Sequence, residues 1–236
     1  MDTEPATAPG TLALVGGGEW SEGCSFDAEL LAAARTTDVC VLPTAAAYER
    51  PERAVARASS WFAGLGASVE ALMVVSRPDA QDPGLADAVR RARFLYLSDG
   101  SPMHVRSVLK GSAVWAALVE AWQAGAMVAG SGAAAMVLTD PMVDARGGGL
   151  TVGLGLVGNV AVVPHFGDVR EDVHGEKLHR AVLLAPLGVP VAGVPERTAL
   201  LRSPDGTWSS RGVGQVTVFL DHRRASDGLG ALPAVD

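Results

Sequence analysis

Residues 129–136 read Ala-Gly-Ser-Gly-Ala-Ala-Ala-Met and join an apolar run to an alanine-rich helical pattern. A nucleophile elbow has this composition. The sharp strand-to-helix turn needs small neighbours two positions either side of the reacting residue, and the helix N-terminus favours negative charge. A plain strand–helix junction packed with small residues has it too, and the stretch alone supports both readings. Gly16-Gly17-Gly18 follows another apolar run. It lacks the GxGxxG spacing and no P-loop lysine follows, so a tight turn at the carboxyl edge of a sheet is favoured over a phosphate cradle. His174 and His179 stand among Glu171, Asp172 and Glu176. Their spacing does not place both on one helix face, so a solvated helix is favoured and no metal is expected. Cys24 and Cys40 lie far apart without metal-type spacing and read as buried free thiols.

Short apolar runs alternating with amphipathic helical patterns must position these groups, which is the signature of a parallel sheet covered on both faces. Strands are predicted over 11–15, 39–43, 69–75, 94–97 and 127–129. Helices are predicted over 26–34, 50–65, 83–93, 103–109 and 114–124. Residues 150–163 are rich in glycine and β-branched residues, and short strands are expected over 189–194, 198–202 and 213–220. Asp205-Gly206 is a hairpin turn signal. One α/β domain is expected over 11–224, with a disordered segment over 1–10 and a flexible tail over 225–236.

The 236-residue chain is 48% apolar and 19% charged, enough for a substantial core, and its net charge is −7. That balance offers no global basic field to nucleic acid. The first ten residues have no apolar stretch of the kind a signal peptide needs, and no window is long and apolar enough for a membrane span. A cytoplasmic protein acting on a small-molecule or peptide substrate is expected, and a homo-oligomer is allowed.

Several stretches occur together in the order seen in the cyanophycinase and dipeptidase E family of serine peptidases, which the chain resembles over residues 11–220. They are Gly16-Gly17-Gly18, Leu42-Pro43-Thr44-Ala45-Ala46, Asp99-Gly100-Ser101-Pro102-Met103-His104, the residues 129–136, Gly153-Leu154-Gly155-Leu156 before Pro164-His165-Phe166, and Glu196-Arg197-Thr198-Ala199-Leu200. The resemblance implies a three-layer sandwich of the class I glutamine amidotransferase type, with a mainly parallel central sheet. It also implies peptide hydrolysis by a Ser–His–acid triad and no cofactor.

Carried across residue by residue, the match fails at the reacting centre. Anchored on Gly130 and Met136, the resemblance puts Gly132 where the nucleophilic serine belongs. His165 takes the histidine position and Glu196 the acid, with Pro195 where an aspartate is usual. Asp99 replaces the first glycine of the pair that helps form the oxyanion hole, whose second member is Gly100. Losing one such donor costs ~10²–10³ in rate, and a carboxylate there repels developing negative charge. Gly16, Gly17, Gly100, Ser101, Ser131, Gly132 and Arg170 are implied to line the substrate cleft, with Arg170 and Arg180 resembling carboxylate-binding arginines. The expected function is acid–base chemistry by Asp99, His165 and Glu196 without hydrolysis. A non-catalytic binding protein and a hydrolase using Ser131, after a one-residue slip, remain alternatives.

Overall fold

Side-chain alternation along β1 (Leu12–Val15) decides the layering. Leu12 and Leu14 enter the apolar cluster on one face, and Ala13 and Val15 enter the cluster on the other. β2 (Asp38–Leu42), β4 (Phe94–Leu97) and β5 (Met127–Ser131) split in the same way. Cys40, Leu42, Leu95, Leu97 and Val128 face one side, whereas Val39, Val41, Phe94, Tyr96, Met127 and Ala129 face the other. Strands buried on both faces read as unbroken apolar runs, and helices have to cover both. α1 (Phe26–Ala34) and α2 (Pro51–Gly64) cover one face through Phe26, Leu30, Ala58 and Phe62. α3 (Pro83–Arg91), α4 (Pro102–Leu109) and α5 (Ala113–Gln123) cover the other through Val89, Val105, Leu109 and Leu118.

The computed structural model describes residues 8–167 and 171–234, without the side chains of 171–177. Among the described residues the main sheet has seven strands, in the order Trp208–Gly212, Thr198–Arg202, β1, β5, β4, β2 and β3 (Ser68–Ala71). From β1 to β3 the pairing is parallel. The strands Thr198–Arg202 and Trp208–Gly212 are antiparallel additions joined across the Asp205-Gly206 turn. The result is the expected sandwich, a mixed sheet of mostly parallel strands between helical layers. A smaller four-stranded sheet contains Ala161–Val163, Val191–Gly193, Thr217–Leu220 and Arg223–Arg224. With α7 (Glu171–Leu184) it forms a separate apolar cluster around Leu178, Ala181, Val182 and Val191.

Several predicted boundaries move for local reasons. The run expected as a strand over 69–75 leaves the sheet after Ala71. Asp79 Oδ2 then accepts the amides of Val75 and Ser76, at 3.1 and 2.8 Å, replacing a strand neighbour with a carboxylate. Residues 225–234, expected as a flexible tail, pack instead: Leu232 is 5% exposed and Trp208 Nε1 donates to Pro233 O at 2.8 Å. Gly10 is buried and donates its amide to Trp122 O at 2.7 Å, so it does not belong to a disordered segment. Residues 1–7, the rest of that expected segment, lie outside the described residues, as do 235 and 236. Among the described residues no helix is long and apolar enough to cross a membrane.

Candidate functional site

β4 and β5 are adjacent and parallel, with Leu97 paired to Gly130. The residues that follow them therefore leave the sheet side by side at its carboxyl edge, where α/β sheets place their sites. β5 passes into α6 (Ala133–Val137) through Gly132, whose φ of 49° and ψ of −109° suit glycine far better than any residue with a Cβ. A Cβ built on Gly132 would lie 2.1 Å from both Cγ and Oδ1 of Asp99. The Asp99 carboxylate thus fills the space into which a side chain at 132 would project.

That carboxylate is held from two sides. Oδ1 accepts the amides of Gly100 and Ala133, each at 2.7 Å. Oδ2 lies 3.1 Å from His165 Nε2, and Glu196 Oε1 lies 2.9 Å from His165 Nδ1. Both ring nitrogens face carboxylate oxygen, an arrangement that a protonated imidazole satisfies by donating twice. The hydrogen bond to Asp99 is the largest influence on His165. It outweighs burial, and with Glu196 adding to it the pKa is raised from 6.5 to about 9. At Asp99 burial works upward, but the His165 hydrogen bond and the two amides together outweigh it, and the carboxyl pKa is lowered from 3.8. At neutral pH His165 is therefore an imidazolium, held between Asp99 and Glu196.

The glycine triplet is the bed on which these loops rest. His165, itself at a positive φ of 54°, donates its amide to Gly16 O at 2.7 Å, and Arg197 donates to Gly17 O at 2.8 Å. A Cβ on Gly17 would meet His165 Cε1 at 2.2 Å, and one on Gly16 would meet Pro195 O at 2.1 Å. Gly16 and Gly17 therefore set the approach of His165 and Glu196, and the tight-turn reading describes them better than a phosphate cradle.

Ser131 is not on the cleft. It is 0% exposed, and its hydroxyl donates to Glu19 Oε2 at 2.8 Å, so the sequence expectation of substrate contact is corrected by burial. Ser101 caps α4, its Oγ accepting the His104 amide at 3.4 Å. Gly100 stays at the centre through its amide, and its φ of 144° with Ala45 O in close approach requires glycine there. Arg170 lies outside the described residues, and so does the His174 side chain. Among the described residues no group of three or more His, Cys, Asp or Glu side chains is arranged to hold a metal ion, and Cys24 and Cys40 are buried free thiols.

Sequence reasoning missed Glu19. It is 4% exposed, accepts from Ser131 and from Arg57 Nη2 at 3.2 Å, and receives the Asp99 amide at 3.4 Å. Only its place directly after the glycine triplet could have flagged it. Two cavities share the wall made by Asp99 and His165. One, of about 200 Å³, is apolar and is closed by Pro102, Met136, Val143 and Val163. The other, of about 590 Å³, is polar and carries Glu49, Arg53, Arg57 and Glu196.

A search of the curated proteins returned no match. Two solved structures share the fold. A peptidase from an acI-B1 Actinobacterium superposes with a TM-score of 0.82 at 26% identity, over 93% of this chain and 94% of that one. A peptidase E-type protein of Listeria monocytogenes EGD-e gives 0.64 at 16% identity, over 93% of this chain and 100% of that one, a likeness of fold alone. The sequence model of Peptidase family S51 matches residues 12–207. With that match spanning most of the chain, the protein belongs to peptidase family S51.

Proposed function

We propose that this chain is a repurposed S51 member that has given up serine acyl transfer. In this reading Asp99, His165 and Glu196 carry acid–base chemistry on a small molecule or modified peptide held in the old cleft. One observation supports this above the others: the Asp99 carboxylate fills the space of the missing side chain at 132 and takes up the amides of Gly100 and Ala133. Peptide hydrolysis would need those amides for an oxyanion on the substrate, and losing even one such donor typically costs ~10²–10³ in rate. Ser131 offers no substitute, because its hydroxyl is buried against Glu19. His165 rests as an acid, with a proton to give, rather than as the neutral base a serine would require.

The same saturated hydrogen bonding would suit a non-catalytic binding protein. Retention of the His165–Glu196 pair at 2.9 Å, with the imidazole reaching solvent-accessible space in both cavities, favours an enzyme. A fluorophosphonate probe should leave the protein unlabelled. A turnover screen should find activity that Asp99→Asn and His165→Ala each reduce by ~10²-fold or more, the usual scale for a positioned acid or base. Stoichiometric labelling of Ser131 would overturn the reading. Ligand binding that these variants weaken, with no turnover to lose, would favour the binding protein.

A further inference from the structure

The two amides that hold Asp99 Oδ1 form an oxyanion cradle, but the oxygen within it belongs to the protein. This fixes which chemistry the centre can assist. An acyl substrate would bring its own carbonyl oxygen and need these donors for it, and Oδ1 already occupies them at 2.7 Å. An ester formed on Asp99 itself meets no such conflict. Its carbonyl oxygen would be Oδ1, and attack of water on Cγ would develop negative charge where the amides of Gly100 and Ala133 point. The other oxygen, Oδ2, faces His165 Nε2 at 3.1 Å, and that ring is oriented by Glu196. The Asp99 side chain is 26% exposed and borders both cavities. It is a carboxylate with one oxygen in an amide cradle and the other against a histidine, on a side chain that borders both cavities.

We propose that Asp99 is a carboxylate nucleophile that takes an alkyl group from a small electrophile at saturated carbon, and that His165 then drives water onto Cγ of the resulting ester. This rests on the reading of Asp99, His165 and Glu196 as the working site, and names its substrate class: an apolar alkyl or benzyl compound with an anionic leaving group. In the first step Oδ2 bonds to carbon while the carbon–leaving-group bond breaks, and the leaving group departs with the electron pair. The alkyl portion lies against Pro102, Met136, Val143 and Val163, and the anion departs into the polar cavity, where Arg53 and Arg57 stand among Glu19, Glu49 and Glu196.

Esterification removes the charge of Asp99, the main influence holding the proton on His165, so the imidazolium releases its proton to solvent and becomes a base. In the second step it takes a proton from water as the water oxygen bonds to Cγ, and Oδ1 becomes the oxyanion. Collapse breaks the bond between Cγ and the alkyl oxygen, which leaves as an alcohol with the proton from His165. The protonated Asp99 then passes its own proton to the imidazole. Alkyl electrophile and water become alcohol, the leaving anion and one proton.

The test uses the full chain with n-butyl iodide and benzyl chloride as probes. With protein in excess over probe in oxygen-18 water, the alcohol from the first turnover should carry ordinary oxygen and the Asp99 peptide should gain the label. His165→Gln and His165→Asn should stop at the ester, adding one alkyl mass to Asp99, and Asp99→Asn should add none. If the His165 variants do not fold, as judged by melting, the wild-type label alone decides. Label found in the first alcohol with Asp99 unlabelled, or no alkylation of Asp99 in wild type and variants, overturns the proposal. Should Asp99 stay unmodified while Asp99→Asn and His165→Ala still abolish turnover of another compound, alkyl transfer falls and the acid–base reading stands. Fluorophosphonate labelling of Ser131 would sink both.

Discussion

Replacing Asp99 with asparagine tests the electrostatics of the centre without needing a substrate. In the wild type His165 is raised from 6.5 to about 9, and its hydrogen bond to Asp99 is the largest cause. At about 1.4 kcal/mol per pH unit that elevation corresponds to ~3 kcal/mol of interaction shared between the partners. The pH dependence follows from the sign. Because the folded pKa is raised, the contribution is fully present below the unfolded value near 6.5 and is lost as pH rises through about 9. In Asp99→Asn the amide oxygen can stay in the cradle, which turns the NH₂ group towards His165 Nε2. That donor disfavours the imidazolium, while Glu196 continues to support it. The histidine should then titrate lower by at least about one pH unit, a tenfold change in proton affinity. Wild-type stability in urea should fall by ~3 kcal/mol between pH 6 and 10, and the variant by no more than about 2 kcal/mol. Titration of the His165 ring protons by NMR gives the midpoint directly. A wild-type midpoint below 7, or one unmoved in Asp99→Asn, would refute the ion-paired description of the site.

Gly132→Ser alone should destabilise the fold, since its Cβ meets the Asp99 carboxylate and the positive φ strains any side chain, by ~1–3 kcal/mol. Combined with Asp99→Gly it should recover the part due to the carboxylate clash and gain fluorophosphonate labelling at position 132, read by peptide mass spectrometry. Ser131→Ala leaves a buried carboxylate oxygen of Glu19 without its donor and should cost ~1–3 kcal/mol in denaturant melts while sparing turnover. Asp27 is raised by burial to about 7, partly offset by the Trp61 hydrogen bond, so its contribution is present below 3.8 and lost as pH rises through about 7. Asp27→Asn should flatten the stability profile between pH 4 and 7, and an unchanged slope would contradict the burial account.

The fold was legible because both faces of the sheet are buried. β1, β2, β4 and β5 are unbroken apolar runs, and such runs separated by helical patterns leave few architectures open. Tertiary partners that sequence does not print set the less legible parts. The apolar pattern runs on to Val75, yet the strand stops at Ala71 and Asp79 takes the amides of Val75 and Ser76 instead of a strand neighbour. Leu232 sits in a stretch of turn-forming residues that reads as a tail, yet Trp208 and the core fix it in place. At the site, residue positions could be carried across from a resemblance, but directions could not. Ser131 and Gly132 are neighbours along the chain, and only the path of β5 into α6 turns one into the core and the other towards His165. Glu19 escaped notice for the same reason: a carboxylate after a glycine turn reads as solvated until Ser131 and Arg57 are seen to close on it.

In the proposed reading, in which Gly132 and Asp99 stand where the peptidase pattern has a serine and a glycine, the two are a single structural event. With Asp99 seated in the cradle, any Cβ at 132 would stand 2.1 Å from its carboxylate, so no serine can be present there while the aspartate holds its hydrogen bonds. With serine at 132, an aspartate at 99 would have to leave both amides and His165, becoming a partly buried carboxylate with three partners lost. Asp99 in its cradle therefore requires glycine at 132, and a chain with serine at 132 beside this aspartate would be less stable. Casual loss of function would be expected to scatter substitutions over the old machinery. In the proposed reading the histidine, its acid, the glycine bed and both cradle amides are kept around the exchanged pair, and they lie in hydrogen-bond or close contact in the structure. A centre rebuilt around a carboxylate accounts for that retention, and the paired reversion at 99 and 132 is the direct measurement of it.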